Sequence, residues 1–363
     1  MPRFRIGIIG CGSVAQIVHL PTLYQLGDLF EVTAICDVSD NVLAGVGGAW
    51  GIESRLRDYR ELLALDTVDA VLIANPGAVH AEVTIAALGA GKHVLVEKPM
   101  CLTLAENDAI VAAQARSGKI VQVGTMRRYA PAFIEACRIV QSMDDIRLAR
   151  VHDIIGGNAL VIDPTSRVIK ADDLPASASA TLRRRRDELI RAAIGDAPAD
   201  LRTAYTMMLG LSTHDTSAMR EMLGMPLRVL HAAQRQGGRY MTTVFDYGAF
   251  VCLFSTGADN IPRYDTCLEV FGESRVIRVD YDTPFVRNLP ITLSITESGD
   301  GVSQTRSVTH PGWGDAFTEE WRAFHHSLVS GEPPKASPQD FRQDLLLYQA
   351  MIQRMAEGAG ETG

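Results

Sequence analysis

Short apolar runs recur through the first 125 residues, at Phe4–Ile9, Val32–Cys36, Ala70–Ala74, His93–Val96 and Ile120–Val123. Each is nearly unbroken by polar residues, the pattern of parallel strands buried on both faces. Amphipathic segments separate them, among them Tyr59–Leu65, Ala81–Leu88 and Leu104–Ser117. Strand and helix alternating in this way predict a doubly wound α/β sheet.

The pattern changes near residue 125. From about residue 226 the strand-like runs Leu227–Gln234, Arg239–Asp246, Ala249–Ser255, Thr266–Phe271, Val276–Tyr281 and Ile291–Thr296 follow one another with little helix between. Several alternate apolar and polar positions, which predicts an antiparallel sheet with one face covered. Helix returns over Phe317–Ala356, broken near Gly331–Pro338. The division expected is a first domain over 1–125 and a second over 126–363, with the helices of 313–357 packing back toward the first.

Residues 156–206 fit neither pattern. Gly156-Gly157 opens the stretch, Asp163-Pro164 turns it, and the small residues Ala176–Ala180 precede a helix that carries Arg183–Arg186 and ends near Gly195. It reads as an insertion, a lid or an oligomer arm. The arginines read as a solvated helix face bridged by Asp187 and Glu188.

Composition narrows the class. The chain of 363 residues is 47% hydrophobic and 21% charged, ordinary for a globular protein. A net charge of −8 argues against nucleic acid as a partner. No apolar run approaches the ~18 residues of a membrane span, so no membrane partner is expected. The first strand starts at once, so no secretory leader is expected. The six cysteines show neither C-x-x-C nor metal-ligand spacing. The expectations are no metal and a cytoplasmic location.

Chemistry enters at Gly10-Cys11-Gly12-Ser13-Val14-Ala15, a G-x-G-x-x-A run directly after the first strand. Gly10 permits a tight turn, Gly12 lets backbone approach a pyrophosphate, and Ala15 lets helix pack on strand. The helix that follows turns free N–H groups toward the phosphates. The second strand ends at Asp37, where a carboxylate accepts hydrogen bonds from a ribose. It also repels a 2′-phosphate, and Val38-Ser39-Asp40 brings no arginine. NAD is therefore the expected cofactor, with NADP as the alternative.

Beyond Asp37 the sequence resembles the glucose–fructose oxidoreductase and inositol dehydrogenase family, Gfo/Idh/MocA. The resemblance rests on Asp58–Leu63, Val68–Ile73, Asn75-Pro76, His80, Ala90–Pro99 with its Glu97-Lys98-Pro99 triplet, and Gly124–Tyr129. It resumes more faintly at His214-Asp215, Leu223-Gly224 and Ser337–Met355, and leaves 156–206 uncovered. It implies an N-terminal Rossmann doubly wound parallel sheet plus a C-terminal α+β domain with a large, mostly antiparallel open sheet. Sheets of this kind pair between subunits, which implies a homodimer or homotetramer. The activity implied is NAD(P)-dependent oxidation or reduction of a secondary alcohol on a sugar or cyclitol.

Lys98 follows the fourth apolar run, at the carboxyl edge of the sheet where ligands bind. An ammonium there hydrogen-bonds a substrate oxygen and stabilises alkoxide charge. The resemblance implies a cis bond before Pro99, a role for Glu97 in holding the nicotinamide end or orienting Lys98, and a place for Asn75 and His80 near the ribose–nicotinamide half. Arg127, with Arg128 beside it, and Tyr129 are candidates to line the substrate site. His152 and Asp153, read as ending the first strand of the second domain, are candidate substrate contacts.

Dehydrogenases of this family carry Asp-x-x-x-His at a helix start, which places both residues on one helix face. The aspartate then orients the imidazole that takes the hydroxyl proton. Here His214 is present and the aspartate position is Gly210. Asp215 lies about 100° round an ideal helix and cannot replace it. The leading expectation is a dehydrogenase with Lys98 and His214 as the proton-handling pair. The alternatives are a net non-redox sugar enzyme that oxidises transiently, and a non-catalytic regulator that binds NAD or sugar.

Overall fold

The structure, a computed structural model, describes residues 2–360. The chain forms two compact units. The first gathers the residues up to Thr125 with Ser166–Ala193 and Glu320–Leu345, and the second gathers Met126–Thr165, Ile194–Glu319 and the residues from Leu346 onward. Neither unit is contiguous. Two stretches that the sequence pattern groups with the second domain cluster with the first.

The first unit holds a parallel six-stranded sheet of β1 (Phe4–Ile9), β2 (Phe30–Cys36), β3 (Ser54–Leu56), β4 (Ala70–Ile73), β5 (His93–Glu97) and β6 (Val121–Gly124), in the order β3-β2-β1-β4-β5-β6. Every residue of β4 is buried, as its unbroken apolar run requires. The edge strand β3 is three residues, too short and too polar to leave a pattern. Trp321 is fully buried in this unit, edge-on to Phe30 and Phe324 at 5.1 and 5.7 Å between ring centroids. The Val123 amide donates to the Ala336 carbonyl at 2.8 Å, and Asn107 to the Pro338 carbonyl at 2.9 Å. A backbone bond and a buried amide thus tie residues from the far end of the chain to this sheet.

The insertion is ordered in part by the same unit. Its helix runs over Ala176–Ile194 and begins earlier than the small-residue run suggested. Pro175 stands just before its first turn, a place proline suits, and alanine and serine continue it without loss of side-chain packing. Arg184 and Arg186 pair with Glu188 and Asp187 as expected, while Arg185 reaches Glu82 at 2.8 Å.

The second unit holds an eight-stranded sheet. Its strands are β7 (Leu148–Gly156), β8 (Arg228–Arg235), β9 (Tyr240–Asp246), β10 (Val251–Asp259), β11 (Tyr264–Phe271), β12 (Arg275–Tyr281), β13 (Thr292–Glu297) and β14 (Thr305–Thr309). The order is β14-β13-β12-β11-β7-β10-β9-β8, antiparallel throughout except for the β7–β10 pair. All five residues of the edge strand β14 are exposed, so it carries no burial pattern to read. Along β7 burial alternates, with Ala149, Val151, Asp153 and Ile155 on the covered face. The strand continues to Gly156, so His152 and Asp153 lie within it, not at its end. Among the described residues no helix is long and apolar enough to cross a membrane.

Candidate active site

The parallel sheet brings four sequence candidates to one edge. The loop Gly10–Ala15 follows β1, Asp37 follows β2, Asn75 follows β4 and Lys98 follows β5, all at strand carboxyl ends. Gly10 has φ +91°, and a Cβ there would fall 2.3 Å from the Asn75 backbone nitrogen. No other residue fits that turn. At Gly12 an added Cβ would meet nothing within 4 Å. Bare backbone therefore faces open space, which suits the close approach of a pyrophosphate. Ser13 and Val14 lead into the π turn Ala15–His19 and the helix Leu20–Gln25.

Asp37 accepts from the Cys11 amide at 2.8 Å through one oxygen and from the Ser39 amide at 3.0 Å through the other. The carboxylate so ties the glycine loop to the turn after β2, and its remaining lone pairs suit ribose hydroxyls. Arg57, distant in sequence, reaches the same turn. It contacts the Val38 carbonyl and the Asp40 carboxylate, each at 3.0 Å. The expectation of no nearby arginine is corrected here: β3 delivers one, already paired with Asp40. The neighbouring thiols are inert, since burial pushes Cys11 far up and Cys36 to about 12.

At the end of β5, Glu97 is 8% exposed. One of its oxygens accepts from the Lys98 amide at 3.1 Å, and the other meets His19 Nε2 at 2.9 Å. Trp321 Nε1 donates to His19 Nδ1 at 3.1 Å. That nitrogen is therefore the acceptor, and Nε2 carries the proton donated to Glu97. Burial works against the Glu97 charge, but the His19 hydrogen bond and the Lys98 ammonium outweigh it and hold the carboxyl below its usual range. Sequence reasoning missed His19, whose one signal is a lone polar residue in the apolar run Ile17–Leu20.

Near it, Glu320 is fully buried, and neither side-chain oxygen has a hydrogen-bond partner. Burial, then the Glu97 charge, push its carboxyl well above the usual range, so it holds a proton. The Lys98–Pro99 bond is cis, as the resemblance implied. His80 is a buried brace, with Nδ1 2.8 Å from the Pro99 carbonyl and Nε2 2.6 Å from the Asn75 carbonyl. A neutral imidazole donates to one carbonyl only, and burial pushes this histidine's pKa down.

The second unit builds a separate polar cluster on the covered face of its sheet. Arg127 is 1% exposed and pairs with Asp215, with Asp153 at 3.6 Å and with the Tyr264 hydroxyl at 3.2 Å. Its guanidinium also stands over the Tyr281 ring at 5.1 Å. Asp153 accepts from Thr266 at 2.8 Å. Burial pushes Asp215 well above the usual carboxylate range against the pull of Arg127, and a hydrogen bond shared with Asp153 adds to the shift. Two buried carboxyls beside one guanidinium thus retain a proton.

The structure separates two candidates that the sequence places side by side. Asp153 joins this cluster, while His152 faces the opposite side of β7. There it bonds Ser255 at 2.8 Å and lies 3.4 Å from Asp265. Neighbours in a strand point to opposite faces, so one local site does not hold both. Arg128 is buried against Glu221 at 2.5 Å, and Tyr129 is 5% exposed. His214 is buried in the helix Thr213–Leu223, directly after a π turn at Met208–Ser212. Gly210 lies within that turn and is exposed. Position 210 is thus open to solvent where His214 is buried.

Residues 4–125 match the profile of the oxidoreductase family with an NAD-binding Rossmann fold, Gfo/Idh/MocA. Along nearly its whole length the chain is similar to the myo-inositol 2-dehydrogenase of Thermotoga maritima, with 27% identity over 367 residues, 97% of this chain and 96% of that one. It is 33% identical to the inositol 2-dehydrogenase of Salmonella typhimurium over 150 residues, 41% of this chain and 44% of that one. The fold is shared with a 3-ketoreductase from Actinomadura kijaniata solved with NADP, with a TM-score of 0.72 at 21% identity, covering 97% of this chain and 98% of that one. The glycine loop and the strand-end carboxylate lie within the matched segment, so residues 4–125 are the part of the chain that matches the NAD-binding Rossmann domain of the Gfo/Idh/MocA oxidoreductases.

Proposed function

We propose that this protein is an NAD-dependent dehydrogenase or reductase acting on a secondary alcohol or ketone of a sugar, sugar derivative or cyclitol. One observation carries the reading. Glu97-Lys98-Pro99 leaves β5 at the same sheet edge as the Gly10–Ala15 loop and Asp37, the edge at which doubly wound sheets bind ligands. The resemblance to inositol 2-dehydrogenases supports the substrate class.

The bound nicotinamide supplies hydride transfer. The chain's own residues hold the ends of that chemistry. Gly10, Gly12, Ser13, Val14 and Ala15 pass backbone along the pyrophosphate. Asp37 takes the adenosine ribose, and Asn75, His80 and Glu97 shape the nicotinamide end. The Lys98 ammonium hydrogen-bonds the substrate oxygen and stabilises its negative charge. His214 accepts the hydroxyl proton in oxidation and returns it in reduction. Arg127, Tyr129 and Asp153 are the second unit's candidates for contact with the substrate. Pairing of the second unit's open sheet face between copies fits a homodimer or homotetramer.

A panel of cyclitols and sugars with NAD and with NADP, followed at the absorbance of reduced nicotinamide, tests the reading. NADH formed with a cyclitol or sugar is the expected result. Tight NAD binding without turnover on any member would favour a binding protein instead.

A further inference from the structure

The stretch Ser166–Ala193 belongs to the dinucleotide-binding unit, and its first part lies along the loops assigned to the cofactor. Gln16, one residue past the glycine motif, exchanges two hydrogen bonds of 2.9 Å with the backbone of Ile169 and donates to the Cys11 carbonyl at 2.8 Å. Ile169 packs on the helix Asp40–Trp50 at Gly45, where a Cβ would fall 2.7 Å from its side chain. Asn41 donates to the Lys170 carbonyl at 2.7 Å. Asp173 then closes on the first turn of that helix. One oxygen takes the Ser39 hydroxyl at 2.5 Å and the other the Asn41 amide at 3.2 Å.

Ser39 is the residue on which two carboxylates converge, since its amide donates to Asp37 and its hydroxyl to Asp173. A dinucleotide whose adenosine ribose is held by Asp37 would place a 2′-phosphate against this turn. The groups able to receive such an anion are the Ser39 hydroxyl, the amides of the helix start and Arg57. Asp173 holds the hydroxyl and one amide, and Asp40 holds Arg57. Three carboxylates against one guanidinium leave the turn with about two negative charges, opposed to a phosphate dianion.

We propose that Asp173 is a specificity-determining residue for the dinucleotide, a carboxylate from the inserted strap that occupies the donors a 2′-phosphate needs and so excludes NADP in favour of NAD. The inference rests on the proposed NAD-dependent reading. It also gives the strap 166–173 a role that does not require a second subunit.

Titration calorimetry with NAD and with NADP tests it on the wild type, Asp173→Asn and Asp173→Ala. Asp173 is exposed, so both variants are expected to fold. Asp173→Ala frees both donors and removes the charge. It is expected to tighten NADP at least about tenfold while NAD stays within about threefold. Asp173→Asn removes the charge but leaves an acceptor in place, and falls between. A purely structural strap would shift both dinucleotides by the same factor, and an unchanged ratio of the two affinities in Asp173→Ala overturns the proposal. A wild type that binds neither dinucleotide overturns the underlying reading as well, so the two failures are told apart by the wild-type titration with NAD.

Discussion

His19 and Glu97, 78 residues apart in sequence, meet as a buried donor and acceptor at 2.9 Å, with the imidazole held in one tautomer by Trp321 behind it. The same carboxylate takes the amide of Lys98, so the residue assigned to the substrate oxygen is tethered to the core through Glu97.

Removing the His19 donor leaves a buried carboxylate without its main support. His19→Ala is expected to cost roughly 1.5–3 kcal/mol for the charged hydrogen bond alone, with a further loss for the cavity. His19→Gln, which retains an N–H donor, should recover part of it. The sign in pH follows from the direction of the Glu97 shift. Its folded pKa lies below the ordinary value, so the contribution is present above about pH 4.3 and is lost as pH falls through the folded value. Urea unfolding from pH 3.5 to 8 checks this; equal wild-type and His19→Ala midpoints at neutral pH would show that the pair contributes nothing.

Glu320 works in the opposite sense. Its folded pKa is raised, so the native state keeps a proton that the unfolded chain releases above about pH 4.3. Its contribution is full below that pH and declines as pH rises toward the folded value, with a limiting slope of about 1.4 kcal/mol per pH unit. Glu320→Gln keeps the shape without the proton. It is expected to match the wild type at pH 4 and exceed it increasingly at higher pH. Melting curves that run parallel across that range would refute the assignment of a buried neutral acid.

Arg127 pairs with both Asp153 and Asp215. Arg127→Met strands two buried carboxyls and is expected to destabilise by about 3–5 kcal/mol. Asp215→Asn replaces a protonated acid by a neutral isostere and is expected to cost much less. Because the Asp215 pKa is raised, that variant also removes a loss of stability that the wild type suffers as pH climbs from about 3.9 toward the folded value. Chemical denaturation of both variants decides the point. A cost for Asp215→Asn as large as for Arg127→Met would mean that Asp215 is ionised.

Lys98→Met should retain dinucleotide affinity and lower turnover at least about 10²-fold, and His214→Asn should lower kcat/KM by about 10²–10⁴-fold with loss of its acidic limb. Gly210→Asp tests the helix geometry. The position is exposed, and a Cβ there meets nothing within 4 Å. The variant is therefore expected to fold and to leave the pH midpoint of kcat/KM where it was. A raised midpoint would place the new carboxylate beside His214.

Unbroken apolar runs in the first part of the chain and alternating ones in the second were enough to read two sheets of different kinds, because strand and helix periodicities are local and each buried face must be written into its own segment. The G-x-G-x-x-A run was legible for the same reason: Gly10 answers to a backbone angle and a close approach set within a few residues. The opposite facing of His152 and Asp153 was also open to local reasoning, since side chains alternate along any strand. The edge strands β3 and β14 were not legible, because strands so short or so exposed leave no burial pattern. Nor could any local pattern pair His19 with Trp321 across 302 residues, or Ser39 with Asp173 across 134. Those contacts depend on where the chain returns after long excursions, and a buried charge finds its partner in space, not in sequence. Tertiary structure alone therefore decided which polar residues brace the candidate site, and which strap lies over its nucleotide end.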